Sequence, residues 1–198
     1  MKTSLCLTVM FTLSLAHPCL AAEQEDNPLQ KLHRLLGNWS PPEAAIERWP
    51  QLKDRWTMSM EWGSERGIFR IYEGRNKLDP KQALLEGMVY WDPRHQDIRF
   101  TAYNTGLKLL FEGNYQLEDE SRIVRHYQVH YPADKDLIPR PDLPGWSREF
   151  REVYQFTDHD TIAQTVEIKV ADSWEFWGGR TEPFISIRDQ QTEQQPEE

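Results

Sequence analysis

The sequence contains very little cysteine, and the position of its two cysteines excludes disulfide bonds from the expected mature chain. Cys6 and Cys19 both lie in an N-terminal stretch that is predicted to be removed. A chain without disulfides has to be held together by its own apolar core. The remaining chain of about 177 residues is long enough to bury such a core. The lack of cysteine also excludes a cysteine nucleophile.

Long hydrophobic runs are also scarce. Residues 5–15, which follow Lys2, form one apolar run, and its about 11 residues are too few to span a bilayer, which takes roughly 20. Cys19 and Ala21 place small side chains where a signal peptidase requires them. We therefore predict that residues 1–21 are a signal peptide cleaved after Ala21, with cleavage after Ala22 as the alternative.

Two other fates of this N-terminus are disfavoured. A retained N-terminal anchor is an alternative, but no longer apolar stretch follows residue 15. A lipid anchor on Cys19 requires a small residue before the cysteine, and Pro18 stands there. The expected mature protein is therefore soluble, is periplasmic or secreted, and has no transmembrane segment after cleavage.

Basic residues are outnumbered by acidic ones. The formal net charge is −9, and removal of Lys2 takes it to −10. Nucleic-acid binding requires clustered Lys and Arg, so no nucleic-acid partner is expected. Aromatic residues make up 12% of the chain and include eight Trp. This content excludes a disordered chain and supplies side chains that fill cores and line pockets.

Motifs for catalysis or metal binding are missing. The sequence has no Gly-x-Ser-x-Gly elbow and no glycine-rich phosphate loop. His126 and His130 have a spacing that suits a metal site on a helix, but their segment has the pattern of a strand. Four residues along a strand span roughly 13 Å, too far for one ion. No catalytic residue, metal site or cofactor is predicted.

Two short helices are predicted near the start of the mature chain. Leu29, Leu32, Leu35 and Leu36 recur at helical spacing, and Gly37 is typical of a helix end. A second helix is predicted from Ser40-Pro41-Pro42-Glu43, with Ser40 as the capping residue and Glu43 completing a capping box. Pro50 would end this second helix.

After residue 55 the apolar period changes to two, which is typical of strands. Turn-forming residues separate most of the predicted strands, and short connections favour antiparallel pairing of neighbours. The sequence therefore predicts a mainly β fold, an antiparallel up-and-down calycin-like barrel or half-open clam of about 8–10 strands. It would form a single domain over residues 22–188, followed by a disordered tail over 189–198. The predicted strands are 56–62, 67–73, 82–91, 97–104, 107–117, 121–131, 147–157, 161–170, 173–177 and 184–188.

One connection, residues 132–146, is long and contains four prolines. A loop of this length in a compact meander is either a functional lid or a surface loop stiffened by proline. The sequence leaves both interpretations open.

Several short motifs resemble those of a bacterial family of calycin-like barrels called domain of unknown function 1579. They are the runs at residues 32–39 (LHRLLGNW) and 86–93 (EGMVYWDP), followed by Thr105-Gly106 and by residues 111–115 (FEGNY). The resemblance covers roughly residues 29–188 and implies a barrel without an established activity. The proline-flanked segment 41–50 departs from the family pattern, because a first strand should continue there after Trp39.

Strand alternation places two charged residues on apolar faces. Arg125 shares a face with Ile123 and Tyr127, and Glu152 shares a face with Tyr154 on the next strand. Charges on apolar faces are costly unless they are paired or bind a ligand. We predict that Arg125 and Glu152 form the polar end of an internal cavity. A structural ion pair, or a bulge that turns both residues to water, is the alternative.

Aromatic residues complete the predicted binding site, since small-molecule sites are mostly apolar. The candidate ligand-binding residues are Arg125, Glu152, Tyr127, Tyr154, Trp62 and Tyr90. The favoured function is the binding of a small, largely apolar or amphipathic molecule without catalysis. A hydrolase or isomerase that uses cavity carboxylates and an interaction protein of the cell envelope are the alternatives.

Overall fold

The computed structural model describes residues 27–63, 67–131, 145–179 and 181–189. These residues form an 11-stranded antiparallel sheet and a few short helices. The helical elements are two 3-10 helices (Pro28–Leu35 and Pro50–Leu52), α1 (Glu43–Arg48) and a 3-10 turn (Trp177–Gly179). The strands are β1 (Gly37–Ser40), β2 (Arg55–Trp62), β3 (Ile68–Asn76), β4 (Leu85–Asp92), β5 (Asp97–Asn104), β6 (Leu109–Asp119), β7 (Arg122–His130), β8 (Ser147–Phe156), β9 (Thr161–Val170), β10 (Ser173–Phe176) and β11 (Phe184–Arg188).

The sheet closes into a barrel. Strands β1 to β9 pair in chain order, and β11 lies between β9 and β1 and completes the ring of ten strands. The extra strand, β10, pairs with the second half of β9, while β11 pairs with its first half. The prediction of a mainly β, antiparallel barrel is confirmed. Closure leaves the wall without the two free edges that a half-open clam would have.

One end of the barrel is covered by the 3-10 helix Pro28–Leu35; we call it the capped end. Its leucines Leu29, Leu32 and Leu35 are fully buried in the core. A 3-10 helix has three residues per turn, so this spacing of three places all of them on one face. Arg34 fastens the helix by donating to the carbonyls of Glu120 and Asp158, at 2.5 and 3.1 Å, in two turns of this end. The first predicted helix is thus present, and it is a 3-10 helix.

The chain enters β1 through Gly37, whose φ of 107° suits glycine and not residues with a side chain. The predicted helix stop at Gly37 therefore marks a sharp turn into the sheet. The second predicted helix is also present as α1, but the prediction that Ser40 caps it is wrong. Ser40 lies in β1 opposite Ile187, and the residue before α1 is Pro42, which makes no side-chain cap.

The other end of the barrel carries the longer connections; we call it the loop end. Residues 77–84 join β3 to β4 there, residues 105–108 join β5 to β6, and Gly145 and Trp146 lead into β8. Residues 132–144, most of the predicted long loop, lie outside the described residues, as do the predicted signal peptide and nearly all of the predicted tail. None of the helices in the described ranges is long and apolar enough to cross a membrane.

Candidate functional site

The candidate site lies inside the barrel, where a charged pair interrupts the apolar core. Arg125 on β7 and Glu152 on β8 stand directly opposite each other in the antiparallel register. Their side chains are 2% exposed and form an ion pair. Both point inward, as the alternation of β7 and β8 predicts. The bulge that would have turned them to water is absent from the described register of these two strands.

A third charged residue joins the pair from across the barrel. Glu73 lies on β3, with β4, β5 and β6 between it and β7 in the wall. Its Oε1 atom accepts a hydrogen bond from Arg125 Nη2 at 2.6 Å. The Arg125 side chain therefore reaches across the interior and connects two nearly opposite walls. In contrast to its partners, the Glu73 side chain is 29% exposed, so this cluster is in contact with solvent on one side.

Four aromatic rings surround the guanidinium group. The Cζ atom of Arg125 lies 4.5 Å from the ring centre of Phe100 and 5.0 Å from that of Tyr127. Tyr115 and Tyr154 are each at 5.9 Å. Cation–π contacts are strongest where the cation is shielded from water. The rings therefore compensate part of the cost of burying the Arg125 charge.

The site contains two carboxyl groups and one guanidinium, so its formal charge is negative when both acids are ionised. Burial raises the pKa of Glu152, although the adjacent Arg125 opposes the rise. Burial would lower the pKa of Arg125, but the negative charge of Glu152 reverses this and raises it well above its ordinary value. Burial also raises the pKa of Tyr115 to about 12. Arg125 therefore stays charged, and Glu152 is the member of the pair that loses its charge more easily as the pH falls.

Hydrogen-bonding capacity remains unused at the centre of the site. Among the described residues, Arg125 Nε is buried without a hydrogen-bond partner. A buried polar atom left unpaired costs about 1–3 kcal/mol. Native structures contain few such atoms, and those that occur often have a functional reason.

The structure brings four of the six predicted ligand-binding residues together: Arg125, Glu152, Tyr127 and Tyr154. It does not bring the other two to them. Trp62 lies at the end of β2, is 36% exposed and packs on Phe69. Tyr90 follows the inward-facing Val89 on β4, and its side chain lines a groove on the outer surface. A role of these residues in ligand binding remains a prediction.

Sequence reasoning missed two polar members of the site, Glu73 and Gln164. The Gln164 side-chain amide on β9 donates to Glu152. The alternation of inward and outward residues along β3 and β9 indicated both. Glu73 has the same parity as the buried residues Phe69 and Ile71 of β3, and Gln164 has that of Ile162 and Ile168 of β9.

Two grooves lie on the outer surface of the wall. One, of about 400 Å³, is lined by polar and aromatic side chains that include Tyr90, Arg99 and Glu112. The other, of about 340 Å³, is lined by Met88, Tyr103 and other residues of β3 to β6. Strands β6 and β7 approach closely beside the first groove, since a Cβ atom on Gly113 would lie 1.9 Å from the His126 carbonyl. Both grooves are shallow, and neither contains the charged cluster.

The sequence was compared with known proteins. No protein-family model matches it, and no curated protein matches it either. The resemblance to the domain of unknown function 1579 therefore stays a prediction.

Proposed function

We propose that this protein is a binding protein whose barrel holds a small, largely apolar molecule, with the cluster of Glu73, Arg125 and Glu152 as the polar end of the site. A closed barrel of this kind presents apolar inward faces from every strand. A few placed polar groups in an otherwise apolar site are the usual design for recognising small molecules.

The main support for the proposal is that the side chains of the cluster differ in their exposure to solvent. Arg125 is 2% exposed, whereas its partner Glu73 is 29% exposed. The attraction within a purely structural ion pair is strongest when both partners are shielded from water, although the cost of desolvation offsets it. Here one carboxylate contacts solvent while its other side is fixed by the buried guanidinium. Glu73 is thus held in place to accept a hydrogen bond, and the ligand group it fits is a donor such as a hydroxyl, amide or amine.

The contacts of Arg125 with the two carboxylates favour binding over catalysis. A hydrolase or isomerase needs a carboxyl group free to exchange a proton with the substrate. Arg125 Nη2 contacts both carboxylates, and Glu152 is also held by Gln164 and fully buried. These contacts orient the carboxylates and restrict their movement. They suit a preformed recognition site.

Native mass spectrometry of the purified protein, together with titration of N-phenyl-1-naphthylamine as an apolar fluorescent probe, tests the proposal. We expect a bound mass that is lost on denaturation, or probe binding at one site per chain. Glu73→Gln should weaken either signal by about tenfold, the value of one charge-assisted hydrogen bond of roughly 1.4 kcal/mol.

The matched control is Glu86→Gln, which removes an exposed acid from the outer face of β4. It should leave both signals unchanged. A chain at its bare mass that also fails to bind the probe would contradict the proposal. Equal losses in the two variants would show that the effect is one of net charge and not of the interior site.

We further propose that the protein acts outside the cytoplasm, after cleavage behind Ala21. The support is the short apolar run at residues 5–15 followed by small residues at the cleavage position. The mass of the intact purified protein gives the start of the mature chain directly. A mass that includes Met1 or residues 2–21, in protein recovered from a secreting host, would contradict this proposal.

A further inference from the structure

The wall of the barrel has a break in its strand pairing beside β9. Strand β10 pairs with β9 only as far as Glu167, and β11 begins to pair with it at Gln164. Between these two pairings, Thr165 and Val166 have no strand partner on that side among the described residues. We call this break the side window. The wall can open here without breaking a backbone ladder.

The side window lies level with the cluster of Glu73, Arg125 and Glu152. Val166 stands directly opposite Glu152 in the register of β9 and β8. Gln164, at one edge of the window, donates its side-chain amide to Glu152. A molecule that passes through the window therefore arrives beside the polar end of the proposed site, and it does not have to travel the length of the barrel.

Trp177 lies at the side window, because it follows directly on the residue of β10 that pairs with Glu167. Its ring packs edge to face on Phe150, with 5.6 Å between the ring centres and 81° between the planes. Phe150 stacks in turn on Tyr127, at 5.6 Å, and Tyr127 contacts the Arg125 guanidinium. A continuous row of rings thus leads from the window to the charged cluster.

Trp177 is held less firmly than the rings behind it. It is 38% exposed, whereas Phe150 is 3% exposed. The next residue, Gly178, has a φ of 77°, and a Cβ atom placed there would meet nothing within 4 Å in the described part of the chain. Glycine with open space beside it leaves the backbone free to turn, and hinges of mobile lids are often small residues. The Trp177 ring can therefore swing outward while Phe150 stays in the core.

We propose that small molecules enter the barrel through the side window and that Trp177 is the residue that closes it. This inference rests on the proposed function, since it requires a molecule that binds inside. When Trp177 turns outward, the apolar face of Phe150 is left to receive the apolar part of the molecule. At the capped end, the helix Pro28–Leu35 and its fully buried leucines block entry.

Stopped-flow mixing with N-phenyl-1-naphthylamine tests the proposal, because it measures the rates of association and dissociation of the probe separately. Trp177→Ala should raise both rates by at least about tenfold, since opening no longer breaks the contact of the indole with Phe150. The dissociation constant should change less than either rate, because a gate acts on passage in both directions. Trp177→Phe keeps a ring against Phe150 and should give a smaller increase.

Trp174→Ala is the matched control. It removes an indole from the same hairpin but from the outer face, where the ring centre lies 4.8 Å from Cζ of Arg151, and it should leave both rates unchanged. Trp146→Ala tests the alternative entrance, since Trp146 is 46% exposed at the loop end. Circular dichroism and thermal unfolding verify that each variant is folded.

The proposal is overturned if the probe binds and Trp177→Ala leaves both rates unchanged, or if Trp174→Ala raises them as much. It is also overturned if Trp146→Ala raises the rates and Trp177→Ala does not. In these cases the interior site stands and only its entrance is wrong. If Trp177→Ala does not fold, unchanged rates in Trp177→Phe overturn the proposal. A protein that neither binds the probe nor carries a bound mass contradicts the proposed function itself, and this inference with it.

Discussion

The capped end and the charged centre of the barrel are both buried, yet they are stabilised in opposite ways. Under the helix Pro28–Leu35, three leucines and Trp39 are fully buried and contribute apolar area to the core. A few residues away along the interior, Arg125 and Glu152 bury charge. Apolar burial stabilises by about 25 cal/mol for each Å² removed from water. A buried ion pair often contributes nothing beyond what a well-packed apolar pair would give.

The two regions place different demands on the residues that fill them. The leucines need no partner of particular chemistry, and another apolar residue of similar size would serve. The charged centre needs every one of its contacts, because each lost partner leaves a charge unpaired. A region that is costly to bury and easy to disrupt is consistent with the recognition role proposed above. Three substitutions test whether the two regions differ in this way.

Replacing Arg125 with methionine should have the largest effect. Arg125→Met leaves two carboxyl groups facing each other without a cation, and we expect a loss of about 3–5 kcal/mol in the free energy of unfolding. Urea unfolding followed by circular dichroism measures it. Adding Glu73→Gln and Glu152→Gln to Arg125→Met should recover part of the loss, because the uncompensated charges are removed. A loss below about 1 kcal/mol would show that the ion pair is not held as described.

Truncating a leucine at the capped end should cost somewhat less. Leu32→Ala removes a fully buried side chain, and we expect a loss of about 2–5 kcal/mol in unfolding free energy. The loss should be the same at about pH 5 and about pH 8, because no charge is involved. The matched control Leu78→Ala, at a side chain 79% exposed, should change stability by no more than about 0.5 kcal/mol. A clear pH dependence of the Leu32→Ala loss would show that ionisable groups also contribute to the stability of the capped end.

The smallest expected effect is a pH dependence at Glu152. Burial raises the pKa of Glu152 in the folded protein. The folded state then binds this proton more tightly than the unfolded state, so it loses stability as the pH rises above the unfolded pKa. Glu152→Gln removes that loss. The destabilisation that it causes should therefore shrink between about pH 5 and about pH 8.

Thermal unfolding of the two proteins across that pH range measures this dependence, with Glu86→Gln on the outer face as the control. A destabilisation that grows with pH would mean that Arg125 dominates and that the pKa of Glu152 is lowered. The charged centre would then stabilise the fold, and the contrast with the capped end would be lost.

Local pattern predicted much of the fold. Alternation placed Arg125 and Glu152 inward, and the short connection lengths predicted antiparallel neighbours. The helix stop at Gly37 was also readable, because few residues other than glycine adopt its φ of 107°. The prediction that Ser40 caps α1 was wrong because Ser40 is the last residue of β1. Ser40 pairs with Ile187 of β11, more than a hundred positions along the chain.

Local pattern was enough to tell which side chains of a strand share a face, because the alternation of a strand is a local property of its backbone. The sequence by itself also excluded disulfide bonds within the barrel, since residues 22–198 contain no cysteine. The contact of Glu73 with Arg125 and the outward position of Tyr90, in contrast, follow from the assembled barrel. Those outcomes depend on how ten tilted strands are staggered around the barrel, and the stagger is set by all the strand pairings together. No single segment contains that information.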